Sequence, residues 1–584
     1  MRQTTAIGAG LLALLAGITG CRATLAADIH VDPSRHAACP GSGSIDDPYC
    51  DWSHIRQFTG GNRYLQKAGT LSGSPIKIVG PSHASATQPV LIGAYGQGPR
   101  PRIRIENTLR EGLNPERWKR IRGDVWAFST REFRSGDPEV LLLDQRRAFG
   151  KARTELDLCE RHGSQVIEWF HHDTTLLVCS PRGNPARIYT SIAGMQQFDK
   201  RDSRFPVYIE DQQHIIIDGL AIEGGSLGAV EIRGASSDIE VRNSVIGLDS
   251  ATGIRAQSFA TPISRLEIHD NLIDSGIRWG MVGYEPHVSG EGVHFVAGVQ
   301  DSRIYRNRFV AWSHNGVYLD AHWPDSPGVR RNRLFDNEFH CGPDSSYFDY
   351  CRPFGVDGLR PDSVRDNLVY RNVMHDFSVA AQINGNNNYF VDNICYNTSN
   401  SKAKSYPTGQ CFSLQPYVWS RDNLVANNTM VNMADVAVQF IPGVAGMSSG
   451  HRIVNNIMVD CGRATVPTRK DACFAVAPDA SVGPQEISNN LMYNPDRPVR
   501  VLYRKQWSED AAELHAVRGD LVRDNQVADP RFRDPDQHDF GLLPGSPAIG
   551  AGRPLEVPGL VTSGEGASVG AGQLLEKAAG GGDR

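Results

Sequence analysis

Along residues 230 to 480, an apolar residue recurs nine times in a similar short phrase, and the position after it is usually polar. The residue two positions before the apolar one is usually apolar as well, and this period-two alternation predicts half-buried strands. The apolar series is Ile232, Ile254, Phe295, Leu319, Val356, Ile383, Leu414, Val438 and Val476. The residues that follow it, here called the polar column, are Arg233, Arg255, Val296, Asp320, Asp357, Asn384, Gln415, Gln439 and Ala477.

A second series consists of asparagines in near-identical contexts such as Tyr-Arg-Asn and Phe-Asp-Asn, spaced 21 to 36 residues apart. Two interleaved series of this kind predict a coiled chain in which each strand lies parallel to its copy in the next coil, about 4.8 Å away. Asparagine tolerates left-handed backbone and hydrogen-bonds locally, so these residues are expected to stack at a corner. The series is Asn243, Asn271, Asn307, Asn337, Asn372, Asn393, Asn428, Asn456, Asn490 and Asn525.

Further phrases lie at the two ends of the repeated region. Segment 529–552 contains Asp-Pro-Arg-Phe and Leu-Leu-Pro-Gly-Ser-Pro-Ala-Ile-Gly, and residues 29–33 are Ile-His-Val-Asp-Pro. With these phrases and the repeat, residues 28–552 resemble the right-handed parallel β-helix proteins of the pectate lyase and polygalacturonase type. The resemblance implies an all-β, right-handed, single-stranded parallel β-helix and a carbohydrate-active protein. The Asn-Thr-Asp, Gly-His-Gly and Arg-Ile-Lys triplets of polygalacturonases and the Trp-Ile-Asp-His phrase of pectate lyases are absent, so no site residue is carried over.

The chain is predicted to divide into a series of segments around one long solenoid. Residues 28–104 are expected to form an N-terminal cap, with a helix around Trp52 to Phe58, and the first coils. Residues 105–204 are less regular and predict a β-rich insertion, and residues 205–552 predict the β-helix body with the functional face. Residues 553–584 are interpreted as a C-terminal tail with a disordered end.

The N-terminus resembles a bacterial lipoprotein signal peptide. Residues 1–20 hold one basic residue and an apolar run too short to span a bilayer, and they precede Cys21, which would be the lipidated residue. The alternative is an ordinary secretory signal cut near Ala26 or Ala27. The prediction is therefore an exported protein of the periplasm, outer membrane or cell surface, attached to a membrane only through its lipid.

The remaining ten cysteines fall into neighbours along the chain, which suggests local disulfides in a fold where each coil touches only the next. The expected pairs are Cys39 with Cys50, Cys159 with Cys179, Cys341 with Cys351, Cys395 with Cys411, and Cys461 with Cys473. Sequence alone does not prove this connectivity. Such pairs would staple the loops beside the polar column, and they indicate an oxidising compartment. No pair has Cys-x-x-Cys spacing, so a zinc site is not predicted.

Composition excludes some partners. The formal net charge is −5, and the 60 basic and 65 acidic residues are evenly spread, so no basic stripe indicates nucleic-acid binding. No phosphate-binding glycine loop follows a strand, so a nucleotide cofactor is not expected. A monomer that acts on a polysaccharide or oligosaccharide is the expected form.

The polar column is predicted to face solvent, because side chains alternate faces along a strand. Asp320 and Asp357 would then lie on adjacent coils, and like charges that close together should raise one pKa. A carboxyl pair with separated pKa values is what glycoside hydrolysis uses, so these two residues are the predicted acid/base pair. A separation of about 5–5.5 Å would indicate retention and about 6.5–9.5 Å inversion. A Ca²⁺ site, or neutralisation of the pair by Arg352 and Arg360, is the structural alternative.

Neighbouring side chains fit a sugar cleft. His322 follows Asp320 on the same face and could move a proton, as could His294 one coil earlier. Amides suit sugar hydroxyls and aromatic faces suit pyranose rings. The predicted substrate-binding residues are His294, Tyr318, Trp323, Tyr350, Arg360, Gln382, Asn384, Gln415 and Tyr417.

Three functions are compatible with this face. The first is a glycoside hydrolase with Asp320 and Asp357 as its acid/base pair. The second is a polysaccharide lyase or C5-epimerase acting on a uronic-acid polymer, which would need a cation for the carboxylate and a base for the C5 proton. The third is a non-catalytic glycan-binding protein on the cell surface, which would need the aromatic residues but not the carboxyl pair.

Overall fold

The computed structural model describes residues 26–576 with internal gaps. The gaps are 36–38, 106, 131–137, 145, 149, 152–154, 156–157, 160–167, 197–204, 226, 249–251, 275–289, 311, 313, 342–350, 361, 378–380, 400–408, 415–419, 442–447, 464–471, 477–482, 504–505, 509–520, 563–566 and 573. The predicted signal peptide and Cys21 lie outside the described residues. None of the helices described is long and apolar enough to cross a bilayer.

Three long sheets of stacked parallel strands build a right-handed parallel β-helix, as predicted. In each coil the chain passes through sheet 3, then sheet 2, then sheet 1. Sheet 1 contains the polar column and has the parallel strands Ile76–Ile78, Val207–Glu210, Val230–Arg233, Thr252–Gln257, Glu291–Val296, Asn315–Ala321, Arg352–Gly358, Ala381–Asn384, Phe412–Leu414, Val438–Phe440, Ala472–Val476 and Arg500–Tyr503. A last strand, Gln506–Ser508, pairs antiparallel with Arg500–Tyr503.

The other two walls of the β-helix are formed in the same way. Sheet 2 has the strands Leu71–Ser72, Arg102–Ile105, Ala221–Gly224, Val245–Ile246, Leu272–Asp274, Arg308–Val310, Glu338–His340, Val373–Phe377, Ile394–Thr398, Thr429–Val431, Ile457–Val459, Leu491–Tyr493 and Gln526–Val527. Sheet 3 has the strands Asp28–Val31, Arg63–Lys67, Val90–Tyr95, Gln213–Asp218, Ser237–Arg242, Ile263–Ser264, Glu267–His269, Val299–Gln300, Arg303–Tyr305, Val329–Arg330, Arg333–Phe335, Val364–Arg365, Leu368–Tyr370, Tyr389–Val391, Leu424–Ala426, Arg452–Val454, Glu486–Ser488 and Leu521–Arg523.

The segment predicted as a β-rich insertion forms two small sheets of its own. One contains Asn107–Thr108, Pro138–Leu143, Arg146–Ala148 and Ile192–Gln196, and the other contains Trp118–Arg122, Val125–Ser129, Gly150–Lys151, Glu168–His172 and Thr175–Cys179. Short helices lie at Arg110–Leu113, Pro115–Arg117 and Pro185–Ile188. Trp118, Phe128 and Trp169 lie in a core separate from that of the β-helix.

Both ends of the chain differ from the expectation. The predicted capping helix is a single 3-10 turn, Trp52–His54, because Ile55 already has extended backbone. In the predicted tail, the described residues 553–562, 567–572 and 574–576 include ordered parts. Leu555, Val557 and Leu560 pack on the outside of sheet 3, and Leu560–Thr562 pairs with Leu574–Glu576. The remaining short elements are Ser420–Arg421 with Ser448–Ser449, Phe532–Asp534 with Asp539–Leu542, and the 3-10 turn Pro535–Gln537.

The asparagine series forms a buried ladder at the corner between sheets 3 and 2. Each member donates its backbone N–H and its Nδ2 to the Oδ1 of the next, as in the 3.1 Å and 3.0 Å bonds from Asn337 to Asn372. The left-handed residue is the one before the ladder asparagine, for example Asp336 at φ 54°. Asn243 is the exception, since it takes this left-handed position at φ 49° and Ser244 takes its place in the ladder.

Sheet 3 bends at a second ladder that the sequence reading missed. Asn332, Asn367, Asn388 and Asn423 are fully buried and bond one another in the same pattern, with Nδ2-to-Oδ1 distances of 3.0–3.2 Å. Every coil in this part of the body is therefore tied to the next at two corners. The two ladders leave little freedom for the strands of sheet 1 to slip in register.

All five expected disulfides are present as local pairs, at sequence separations of 10 to 20 residues. Cys341–Cys351 and Cys461–Cys473 join the end of a sheet 2 strand to the start of the sheet 1 strand that follows, whereas Cys395 lies near the start of its sheet 2 strand and pairs with Cys411 just before the next sheet 1 strand. These three bonds therefore tie sheet 2 to sheet 1, and the five bonds together fit an oxidising, extracytoplasmic compartment.

We predict that Asn337→Ala lowers the free energy of unfolding by at least about 2 kcal/mol, because it leaves the Asn307 N–H and the Ile304 carbonyl without their buried partner. Urea denaturation followed by circular dichroism measures the change. Asp336→Asn is the matched control, because it loses only a part-exposed ion pair with Arg371 and should cost less than about 1 kcal/mol. Equal losses in both variants would show that the ladder is not what holds the coils.

Candidate active site

The polar column has the predicted register in its central part. Val296 pairs with Asp320, Asp320 with Asp357, and Asp357 with Asn384 on successive strands of sheet 1. The two aspartates therefore occupy equivalent positions on adjacent coils. A second column on the same face lies two residues earlier in each strand and is here called the front column. Its successive neighbours are His294, Tyr318, Gly355, Gln382 and Ser413.

The register at both flanks differs from the prediction by two residues. Arg233 pairs with Gln257, so Gln257 and not Arg255 belongs to the polar column. At the other flank, Gln439 pairs with Ser413 and so belongs to the front column. The alternation of apolar and polar residues indicates which face of the sheet each side chain takes. A register that is wrong by two residues keeps every side chain on the same face, so the sequence pattern does not reveal the error.

Asp320 is buried and lies between two histidines. His294 Nε2 lies 3.2 Å from Asp320 Oδ2, and His322 Nδ1 lies 2.5 Å from Asp320 Oδ1. Burial alone would raise the pKa of the Asp320 carboxyl group, but hydrogen bonding to His294 and His322 outweighs it and holds that pKa below its ordinary value. Asp320, which is only 5% exposed, is thus a fixed buried anion.

His322 bridges the two aspartates. Its Nε2 lies 3.2 Å from Asp357 Oδ2, on the opposite side of the ring from Asp320. Hydrogen bonding to Asp320, and then to Asp357, raises the pKa of His322 to about 10, so the imidazole is a cation at neutral pH. The expected repulsion between neighbouring carboxylates is therefore replaced by two ion pairs that share one cation.

Asp357 is the more accessible carboxyl group, with an 18% exposed side chain. Tyr318 Oη donates to its Oδ2 at 3.3 Å, and Asn384 Nδ2 donates to its Oδ1 at 2.7 Å. Gly355 makes the first contact possible, because a Cβ there would lie 2.8 Å from Cδ2 of the Tyr318 ring. The missing side chain lets the tyrosine lean over the next coil and reach Asp357.

Tyr318 is enclosed by two imidazoles. The His294 ring stacks on it at 4.9 Å between ring centroids, and the His314 ring meets it edge-on at 5.5 Å. Burial, and then the charges of Asp320 and Asp357, raise the pKa of Tyr318 far above its ordinary value. The phenol therefore keeps its proton and can act as a hydrogen-bond donor.

The sequence reading missed a second acid–histidine pair, Glu291 and His314, whose Oε1 and Nδ1 lie 2.8 Å apart. Burial would raise the pKa of Glu291, but hydrogen bonding to His314 and the nearby imidazole charges lower it. Alternation places Glu291 on the same face as the core residue Val293. A Cβ at Gly292, however, would point at Phe309 of the core, so the strict alternation of inward and outward side chains is broken at this position. Glu291 therefore turns towards His314.

The other predicted residues lie at varying distances from the pair. Gln382 accepts a hydrogen bond from Arg352. Arg360 is exposed beyond the end of its strand, and its backbone bonds Ser363. The exposed Trp323 packs edge-on against Phe259 with ring centroids 5.2 Å apart. Tyr350, Gln415 and Tyr417 lie outside the described residues.

The two aspartates do not present the donor set that calcium requires. Calcium takes six to eight oxygen ligands, whereas here an imidazole lies between the two carboxyl groups. In the described part of the chain, His340, His375 and Asp376 bring three possible ligand atoms within 4.8 Å of one another, but they lie on sheet 2. No metal is needed to account for the geometry of the aspartate pair.

No family model matches the sequence, and no curated protein is detectably similar to it. Solved structures do show a similar fold. XylC in complex with xylose is 12% identical with a TM-score of 0.47, over 82% of this chain and 86% of that one. GH136 lacto-N-biosidase from Eubacterium ramulus is 13% identical with a TM-score of 0.42, over 86% and 68% of the two chains. Pectate lyase Pel9A is 10% identical with a TM-score of 0.41, over 94% and 97%. Likeness at this level shows the fold and carries no argument about activity, which rests on the site itself.

We predict that His322 titrates near pH 10 in the folded protein and that Asp320→Asn moves its midpoint down towards the ordinary value of about 6.5. Because the pKa is higher in the folded state, the stabilisation from His322 is complete below about pH 6.5 and is lost as pH rises to about 10. NMR of ¹⁵N-labelled histidine gives the midpoint, and urea denaturation against pH, compared with His322→Gln, gives the linkage. A His322 midpoint near 6.5 in the wild type would contradict the bridged arrangement.

Proposed function

We propose that the chain is a glycoside hydrolase that cleaves a polysaccharide or oligosaccharide on the outer face of sheet 1. The observation that carries the proposal is the pair of aspartates on adjacent coils, bridged by one protonated imidazole. A glycosidase needs a proton donor for the leaving oxygen and a carboxylate that acts at the anomeric carbon. His322 and Asp357 are the partly exposed members of this cluster and take those two roles.

The cluster suggests a division of labour among its three members. The Asp357 carboxylate either attacks the anomeric carbon as nucleophile, to form a glycosyl-enzyme that water then hydrolyses, or takes a proton from the water that attacks that carbon, and His322 gives its Nε2 proton to the leaving oxygen. At rest, a pKa of about 10 makes His322 a weak acid. The positive charge that develops on the sugar then compensates the negative charge of Asp357. The pKa of His322 falls as a result, because the imidazolium loses the stabilisation from one of its two carboxylate partners. Asp320 does not touch the sugar and acts as a positioning residue that keeps His322 charged and oriented.

Electrostatics favours hydrolysis over elimination. The transition state of glycoside hydrolysis resembles an oxocarbenium ion, and a carboxylate beside the anomeric carbon stabilises that positive charge. Elimination from a uronate would instead place a second negative charge beside Asp357 and would need a cation to receive it. The nearby cation His322 is already shared by two carboxylates.

The surroundings support a sugar ligand. Asn384 and Gln382 lie on the C-terminal side of the pair, but both are buried, so their amides position Asp357 and Arg352 and do not face a ligand. Trp323 is exposed next to His322 and offers an aromatic face for a pyranose ring. A purely binding protein would not need the bridged carboxyl groups or the enclosed Tyr318.

We predict that Asp357→Asn and His322→Gln each lower the release of reducing ends by about 100- to 10,000-fold, the usual range for loss of an acid or base group. Asp320→Asn should cause a loss of similar size together with the downward shift of the His322 midpoint, which a merely structural role would not produce. Asp325→Asn, an exposed carboxyl group five residues beyond Asp320, is the matched control and should keep full activity.

The assay uses a panel of neutral and acidic polysaccharides, with reducing-sugar release and product mass spectrometry as readouts. Hydrolysis adds one water to the products, whereas elimination creates a conjugated double bond that absorbs in the ultraviolet. Products that carry this double bond, or wild-type activity in Asp357→Asn, would overturn the hydrolase proposal in favour of a lyase or of another site.

We also propose that the protein is exported and anchored to a membrane through a lipid on Cys21. The five disulfides support export. Metabolic labelling of a bacterial host that expresses the full chain with an alkyne fatty acid should label the wild type but not Cys21→Ser. Equal labelling of both proteins, or no label in the wild type, would contradict the anchor.

A further inference from the structure

The face that carries the aspartates continues for several coils toward the N-terminus and becomes basic. The front column of sheet 1 pairs Lys77, Tyr208, Glu231, Arg255 and His294 on successive strands, and His294 pairs with Tyr318. These side chains share one face and follow one another at about 4.8 Å per coil. Arg255 is therefore two coils, or roughly 10 Å, from the coil that carries Asp320.

A pocket of about 410 Å³ opens on this basic stretch. Its walls combine an apolar side with charged groups, and its lining residues are Lys77, Val79, Phe205, Tyr208, Glu210, Leu227, Glu231, Arg233 and Arg255. The Phe205 and Tyr208 rings lie 6.3 Å apart and form an aromatic wall. A concave site with an apolar wall and a few convergent polar groups is typical of a small-ligand site.

The charges of the pocket do not cancel. Three lining residues are basic (Lys77, Arg233 and Arg255) and two are acidic (Glu210 and Glu231), which leaves one positive charge in excess. Glu231, with a side chain only 1% exposed, lies beneath the arginines, with its Oε1 3.7 Å from Arg233 Nε and 3.9 Å from Arg255 Nη1. The buried acid holds both guanidinium groups in place and leaves them partly exposed to the pocket.

We propose that this pocket binds a sugar residue bearing a carboxylate or sulfate group, with its nearest arginine two coils from Asp320 and three coils from Asp357. The inference rests on the proposed function for the substrate being a glycan, while the pocket itself is argued from its own residues. Guanidinium groups recognise carboxylate and sulfate oxygens through paired, charge-assisted hydrogen bonds. The acidic sugar occupies the basic pocket, and a neutral sugar occupies the carboxylate site.

This arrangement defines the substrate class. The substrate is a mixed glycan in which an acidic sugar lies about two residues from a neutral one, and not a homopolymer of uronate. A homopolymer would place a carboxylate against Asp357 as well, where the one cation of the Asp320–His322–Asp357 cluster, His322, is already shared by two carboxylates.

Binding of D-glucuronate and of D-glucose to the full chain tests the proposal without any turnover. The expected result is that glucuronate binds at least about tenfold more tightly than glucose, since a hydrogen bond to a charged group contributes about 1.5–3 kcal/mol. Titration followed by NMR chemical shifts measures both affinities. Val79→Glu places a carboxylate in the pocket from a residue that is 54% exposed, so the fold is spared. It should abolish the preference for glucuronate, and Val79→Gln, the neutral match, should retain it.

Each outcome bears on one proposal only. Equal binding of glucuronate and glucose, or a preference for glucuronate that survives both Val79→Glu and Arg255→Met, would overturn the acidic-sugar pocket. Arg303→Met, on sheet 3, is the control for loss of a surface arginine and should leave the preference unchanged. Loss of activity in the Asp357 and His322 variants is measured separately, so the hydrolase proposal can fail while the pocket holds, and the reverse.

Discussion

The in-register stacking of coils is the constraint on which the site depends. Two corner ladders of asparagine tie each coil to the next through buried side-chain bonds of about 3 Å, and these bonds hold the equivalent positions of neighbouring strands together. Asp320 and Asp357 are 37 residues apart in sequence, but they become neighbours because the ladders prevent a slip of register. A catalytic face on such a scaffold is rigid, since each of its side chains comes from a strand fixed on both sides.

Bringing two aspartates together has a free-energy cost that the site meets with a shared cation. His322 lies between the two carboxyl groups and is held protonated by them, while His294 takes the remaining oxygen of Asp320. Asp320 is therefore a buried anion, His322 a bridging imidazolium and Asp357 an accessible carboxyl group. The two aspartates differ in role because they differ in exposure and in hydrogen-bond partners.

The sequence predicted most of this arrangement, and its failures have physical causes. The central register from Phe295 to Asn384 was right because large apolar residues mark every strand there. At Arg255 and Gln439 the register was wrong by two residues, since a shift of two keeps each side chain on its face. Glu291 was missed because the strand loses its alternation at Gly292. The second ladder was missed because each of its members, such as Asn332, lies five residues before a member of the first ladder and so repeats with the same spacing. The bridging position of His322 depends on side-chain rotation, which a pattern of residues does not encode.

The most direct test of the Asp320–His322–Asp357 site is a crystal structure of the Asp357→Asn protein with the oligosaccharide that the wild type cleaves. We expect the glycan to run along sheet 1, with one glycosidic oxygen within hydrogen-bonding distance of His322 Nε2 and the adjoining anomeric carbon beside residue 357. A glycan bound on sheet 2 or sheet 3, or on sheet 1 with every glycosidic bond more than one coil away from residue 357, would contradict it.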